Sequence, residues 1–202
     1  MSPSMMISSM LQMLLGLALL VLWRIDPDPR YHYVRLWGWS AVLLGLGLML
    51  GIALVPAEGL NTARRDLQGG LASFALMLSM YLQMKGTRLF RHQAWNSRAW
   101  AGVLLTSMLL IALLAHQELR WAVIAAAAAL ALGNWACALW MAGGEGKGER
   151  IVAICFAAMG CVNASGPLLD PLSRSPITHG AGLLTQSAIS LGLILLAVAR
   201  AH

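Results

Sequence analysis

The sequence predicts an all-α integral membrane protein, a polytopic bundle of seven transmembrane helices with its N-terminus outside and its C-terminus inside. Three observations lead there. Of the 202 residues, 59% are hydrophobic and 11% charged, whereas a water-soluble domain carries roughly 25% charged residues. The few charges cluster between apolar runs of about 15 to 23 residues, the length a helix needs to cross roughly 30 Å of hydrocarbon. Lys and Arg then fall unequally on the two sides that strict alternation of spans defines, and cytoplasmic loops are the ones that retain them.

The first span covers residues 4–23. Residues 1–9 carry no Lys or Arg, unlike the basic start of a cleavable signal peptide, and no small-residue cleavage site follows, so the run reads as a retained helix. Asp26-Pro27-Asp28-Pro29 breaks the chain before the second span, 36–55, and Pro56 with Gly59 breaks it before the third, 67–84. The fourth span, 99–115, is short and ends at His116-Gln117-Glu118. With the fifth, 119–141, it forms either two separate spans or one helical hairpin with a tight turn, and the topology is the same. Gly143, Gly144, Gly146 and Gly148 read as a flexible cytoplasmic turn before the sixth span, 151–169. Asp170-Pro171 and Pro176 precede the seventh, 181–199. All 202 residues therefore form a single transmembrane domain.

Alternation places Arg24, Arg30, Arg35, Lys85, Arg88, Arg91, Arg98, Lys147, Arg150 and Arg200 on one side and Arg64, Arg65, Arg120 and Arg174 on the other. Ten against four puts the first side inside. Trp23, Tyr31, Tyr33, Trp37, Trp39, Trp95, Trp100, Trp121 and Trp140 lie at span ends, where amphipathic rings favour the interface, and Trp135 lies deeper. The net charge of +6 is dispersed over these flanks, so the expected partner is the lipid bilayer rather than nucleic acid. Cys137, Cys155 and Cys161 sit inside apolar runs with no disulfide or zinc spacing.

Close helix approach in lipid needs small side chains. Gly47 and Gly51, with Gly45 nearby, form one such pair, and Ala125, Ala129, Gly133 and Cys137 recur every four residues. These stripes serve packing within the bundle or a homodimer face. Gln12, Gln83, Asn134, Asn163 and Gln186 lie in or near apolar runs, as hydrogen-bond glue between helices or as a ligand site. No Asp, Glu, Lys or Arg stands near the centre of a span, which argues against a proton-coupled transporter, a voltage sensor or an ion pump. His116, Glu118, Asp170 and His179 share the non-cytoplasmic face and form either a metal or pH-sensing cluster or ordinary solvated helix ends. The histidines all fall in loops or at span ends, which does not suit haem, and the seventh span has no lysine for a retinal Schiff base. Ser165-Gly166-Pro167 and the glycine-rich stretch at 143–148 lack the flanking strand that a nucleophile elbow or phosphate loop requires. No catalytic, cofactor-binding or metal-binding residue is expected, and the chain reads as a non-enzyme.

Leu22-Trp23-Arg24, then Tyr33-Val34-Arg35-Leu36-Trp37-Gly38-Trp39, then Met80-Tyr81-Leu82-Gln83-Met84-Lys85-Gly86-Thr87-Arg88-Leu89-Phe90 together resemble the N-terminal membrane region of bacterial diguanylate cyclases of the GGDEF type. The resemblance covers residues 10–91. It implies a sensory input or anchoring module in a bacterial inner membrane, joined through the seventh span to a cytoplasmic signalling domain. The Gly-Gly-Asp/Glu-Glu-Phe signature is absent from the chain, so cyclase activity is not carried over. The competing expectation is a free-standing small polytopic protein with a binding, transport or lipid-handling role, since a bundle ending three residues after its last span is physically complete.

Overall fold

The computed structural model describes residues 3–25, 28, 31–53, 62–117, 119–169 and 176–201. Seven α-helices occupy these residues: α1 (Pro3–Ile25), α2 (His32–Ala53), α3 (Thr62–Phe90), α4 (Ser97–Gln117), α5 (Leu119–Ala142), α6 (Lys147–Leu169) and α7 (Pro176–Ala201). Four of them hold a stretch long and apolar enough to cross a membrane: Met6–Ile25, His32–Leu50, Ser97–Ala115 and Trp121–Ala142. The chain is thus an all-helical membrane protein, and on that criterion four of the seven expected spans are met. The other three helices have a shorter or more polar stretch for visible reasons. At 29 residues α3 runs well past the expected 67–84, because Arg64, Arg65 and Asp66 at one end and Lys85 and Arg88 at the other continue the helix beyond its apolar middle. Lys147, Glu149 and Arg150 start α6 four residues before the expected 151. The apolar part of α7 is Leu184–Arg200.

The helix ends carry recognisable signals. Pro176 is the first residue of α7, where its missing N–H is one that the helix would leave unpaired anyway. Asn96 caps α4, its side-chain oxygen accepting from the Ala99 N–H at 3.2 Å. At the end of α3 the His92 N–H donates to the Leu89 carbonyl and the Gln93 N–H to the Arg88 carbonyl, both at 2.9 Å. This is a Schellman motif, whose turning residue needs a left-handed backbone. That residue is His92, at φ 52°. A side chain with a Cβ is strained there by about 1 kcal/mol, most of all when β-branched. In thermal melts His92→Gly should match or exceed the wild type by about 1–3 °C, and His92→Val should fall below it by a similar amount. The reverse order would mean that the turn does not depend on the left-handed residue.

Helices α1, α2, α3, α5, α6 and α7 close a ring in that order, while α4 lies outside it against α5 and α3. There Ile111 of α4 meets Met77 and Ala122. The tightest packing joins α1, α2 and α3. Ser9 Oγ donates to the Gly45 carbonyl at 2.9 Å, and seven residues along both helices a Cβ on Gly16 would lie 2.7 Å from the Gly38 carbonyl oxygen. Between α2 and α3 three such levels recur. Gly47 lies against Ala72 and Leu76, Ser40 and Ser79 each donate a hydroxyl to the other's carbonyl at 2.9 and 2.8 Å, and Gly86 lies against Tyr33 and Trp37. A seven-residue repeat is two helical turns, so small or hydroxyl residues at that spacing keep two antiparallel backbones in contact along their length.

The ring interior is filled by Leu19, Trp37, Phe90, Met141, Phe156 and Ile189, all buried. Outside, Leu14, Leu105, Leu109, Leu113, Leu139, Ile154 and Leu195 are exposed. Such a belt would drive association in water but suits contact with lipid chains. Aromatic rings gather at the end of the bundle that carries Arg88, Arg91 and Arg200. Trp95 stacks on Trp100 with centroids 5.0 Å apart, the Arg88 guanidinium lies over Trp140 at 5.0 Å, and that of Arg35 over Trp23 at 5.0 Å.

Candidate functional site

Two polar features run along α7, one inside the ring and one at its basic end. The inner one is a small cavity between Leu19 of α1, Trp37, Ser40 and Ala41 of α2, Gln83 of α3, and Gln186, Ile189, Ser190 and Leu193 of α7. It is a space of about 10 Å³ for the centre of a water-sized molecule. Ser190 Oγ donates to Gln12 Oε1 at 3.0 Å, tying α7 to α1. The Ser40 hydroxyl is taken by Ser79. Trp37 Nε1, Gln83 Nε2 and Gln12 Nε2 are buried donors with no hydrogen-bond partner among the described residues. A lost hydrogen bond of this kind costs about 1–3 kcal/mol in a low-dielectric interior. Among the described residues that line the cavity none is charged.

The second feature is an ionic clasp centred on Glu149, in the first turn of α6, where a carboxylate also suits the helix dipole. Although charged, Glu149 is buried to 8% exposure. Its carboxylate accepts from Arg91 Nη1 at 2.8 Å and from Arg200 Nη2 at 3.3 Å. Each arginine also donates to backbone, Arg91 Nη2 to the Gly143 carbonyl at 2.8 Å and Arg200 Nη1 to the Phe90 carbonyl at 2.9 Å, while Arg91 Nε is buried with no hydrogen-bond partner among the described residues. The Arg200 guanidinium stacks 3.8 Å over the Phe90 ring, and the Tyr31 hydroxyl donates to the Arg200 carbonyl at 3.0 Å. The end of α7 is therefore held by α3, α6 and the segment before α2. Gly144 packs directly on the Glu149 carboxylate, and the Gly143 and Gly144 N–H groups bond back to Leu139 and Met141. The expected flexible turn at 143–148 is instead a turn fixed by hydrogen bonds and by Arg91.

Of the four residues expected to cluster on the opposite face, Glu118 and Asp170 lie outside the described residues, as do the side chains of His116 in α4 and His179 in α7. Among the described residues no group of three His, Cys, Asp or Glu side chains could hold a metal. In the small-residue stripes, Gly133 faces Met80 of α3, Cys137 is fully buried, and Ala125 and Ala129 pack against the contact of α4 with α3 and α5. Gly47 serves α3, while the surroundings of Gly51 lie outside the described residues. Among the amides, Gln12 bridges helices, Asn134 bonds back to the Leu130 carbonyl of its own helix at 2.8 Å, and Gln83 turns to the cavity. Sequence reasoning missed the clasp and the roles of Trp37 and Ser190. Glu149, one of two glutamates in the glycine-rich stretch at 143–150, was the available signal for the clasp, since an acid between two basic helix ends draws them together.

No protein-family model, curated protein or solved structure matches the chain. The reading of function therefore rests on these two features.

Proposed function

We propose that the chain is a non-catalytic input module of the signalling-protein type, a seven-span bundle in a bacterial inner membrane whose output leaves through α7. The observation that carries this reading is that α7 belongs to both features: Gln186 and Ser190 line the cavity, and Arg200 closes the clasp, where it meets Phe90 of α3, the helix whose Gln83 also lines the cavity. A group that binds N–H donors at the cavity favours one setting of α7 over another, and a rigid helix conveys that difference to Arg200. A ligand shifts such an equilibrium only by its differential affinity for the two settings.

Two measurements test the reading. Reporter fusions after Arg91 and Arg200 should behave as cytoplasmic and one after Asp66 as periplasmic, and finding both ends of the protein on the same side would sink the seven-span bundle. Fusing a diguanylate cyclase domain after residue 202 should give a membrane-bound enzyme whose cyclic dinucleotide output changes by at least about twofold in Gln83→Met and in Glu149→Gln. Output that is active but indifferent to both changes would leave the bundle as an anchor, or as a free-standing binding protein.

A further inference from the structure

We propose that the outer face of α2 is a binding site for one anionic phospholipid, its phosphate held by His32, Arg35 and Lys85 and its acyl chains lying along Trp39 and Leu46. This face shares no residue with the cavity or the clasp and does not rest on the input-module reading. His32, Arg35, Trp39 and Leu46 follow one another at intervals of three, four and seven residues, which sets them on one side of α2, and all four are exposed. The seams show which side this is. Gly38 and Gly45 face α1, Ser40 and Gly47 face α3, and Trp37 and Ala41 face the ring interior, so the stripe looks outward between α1 and α3. Lys85 joins it from α3. The pairings of Ser40 with Ser79 and of Tyr33 with Gly86 bring Lys85 level with Val34 and Arg35, and the charges of Arg35 and Lys85 both act on His32.

The sign of the ligand follows from what this group lacks. Like charges repel, and two of the three groups lie in the first turn of α2, where the helix dipole also disfavours a cation. Among the described residues none of the three side chains makes a hydrogen bond or an ion pair, both salt bridges going to Glu149. Asp28, the nearest acid along the chain, is itself engaged. The bias of insertion accounts for cations at this end of the bundle, but not for their convergence without a carboxylate. Trp23 covers the face of the Arg35 guanidinium at 5.0 Å. A guanidinium stacked in this way keeps its N–H edge for a phosphate. That the anion is a lipid follows from what lies deeper, since past Arg35 the stripe turns apolar. Arg35 to Leu46 spans about 16 Å at ~1.5 Å per residue, close to half of the roughly 30 Å hydrocarbon core and so to one leaflet. A head group at the cations thus sets its chains beside Trp39 and Leu46, while a zwitterionic lipid would bring one more cation to a site that already repels them.

Native mass spectrometry of the full chain in detergent, which counts bound lipid by mass, tests this. Phosphatidylglycerol is titrated beside phosphatidylcholine with the same acyl chains, and inorganic phosphate is added as a competitor. One phosphatidylglycerol should bind about tenfold more tightly than phosphatidylcholine, and millimolar phosphate should not displace it. Arg35→Gln and Lys85→Gln should each weaken it about fivefold, the loss expected for one cation beside an anionic lipid. Arg98→Gln and Lys147→Gln, which remove exposed cations of the same end from α4 and α6, should leave it unchanged. Lys85→Gln touches no aromatic ring and so guards against a fold disturbed by loss of the Arg35 contact with Trp23, with melting temperature as the check. Equal binding of the two lipids, or equal weakening by all four substitutions, would overturn the site and leave a diffuse basic surface. Displacement by phosphate would overturn the lipid as ligand in favour of a soluble anion.

Discussion

Gly16→Leu is expected to abolish folded protein, with little or no monodisperse material recovered in mild detergent, while Gly102→Leu is recovered as well as wild type. At Gly16 a Cβ would lie 2.7 Å from the Gly38 carbonyl oxygen and 2.8 Å from the Val42 nitrogen. Both are backbone atoms in the middle of a helix, so neither side can yield by changing a rotamer. Overpacking a core that can adjust costs about 1–3 kcal/mol. Here α1 and α2 must separate along their length, which also breaks the Ser9 to Gly45 bond, so a loss of about 4 kcal/mol or more is expected against a total stability of about 5–15 kcal/mol. A Cβ on Gly102 meets nothing within 4 Å. Equal recovery of the two variants would mean that α1 and α2 do not approach at this distance. Gly16→Ala should fall between them.

The second large effect is at the clasp. Glu149→Ala removes one carboxylate from two guanidinium groups and leaves both facing each other. Losing one partner of a fully buried pair costs about 3–5 kcal/mol, but water reaches these arginines, whose side chains are 22% and 32% exposed, so about 2 kcal/mol is expected. For a chain of this size that is a fall in melting temperature of about 4–8 °C. Glu149→Gln keeps an acceptor without the charge and should lose about half as much. Gly144→Ala should reproduce much of the defect with the carboxylate still present, because its Cβ would occupy the place of Glu149 Oε2. An unchanged melting temperature in Glu149→Ala would reduce the clasp to a surface contact.

The helical class was legible because an apolar run long enough to span hydrocarbon has few other uses, and the expected spans fall within the observed helices apart from the second, whose last two residues lie beyond Ala53. Helix ends were less legible, since hydropathy stops where charge begins while the hydrogen-bond ladder continues, as at Lys85–Phe90 in α3. The four-residue stripe of α5 was visible and packs against its neighbours at Ala125, Ala129, Gly133 and Cys137, but the interval that joins α2 to α1 and α3 was not seen. A search for pairs four apart found Gly47 with Gly51, whereas the contacts use Gly38 with Gly45, and Ser40 with Gly47, seven apart. The cavity was not legible at all. Trp37 had the look of an interfacial ring, and it lines the cavity together with Gln83 and Ser190, which the sequence places on other helices.

The seven-residue contacts of α1, α2 and α3 also set where the molecule is stiff. Those three helices touch backbone to backbone, through Gly16 against Gly38 and through the paired serines, and no rotamer change loosens such a seam. By contrast α7 meets its neighbours through side chains, the buried Ile189, Leu193 and Ala197 and the polar links of Ser190 to Gln12 and Arg200 to Glu149. Side-chain contacts can yield by changing rotamer where backbone contacts cannot, so amide hydrogen exchange is expected to be slowest in the middle of α2 and fastest, among the ring helices, in α7, which moves as a rod against the seam of α1, α2 and α3.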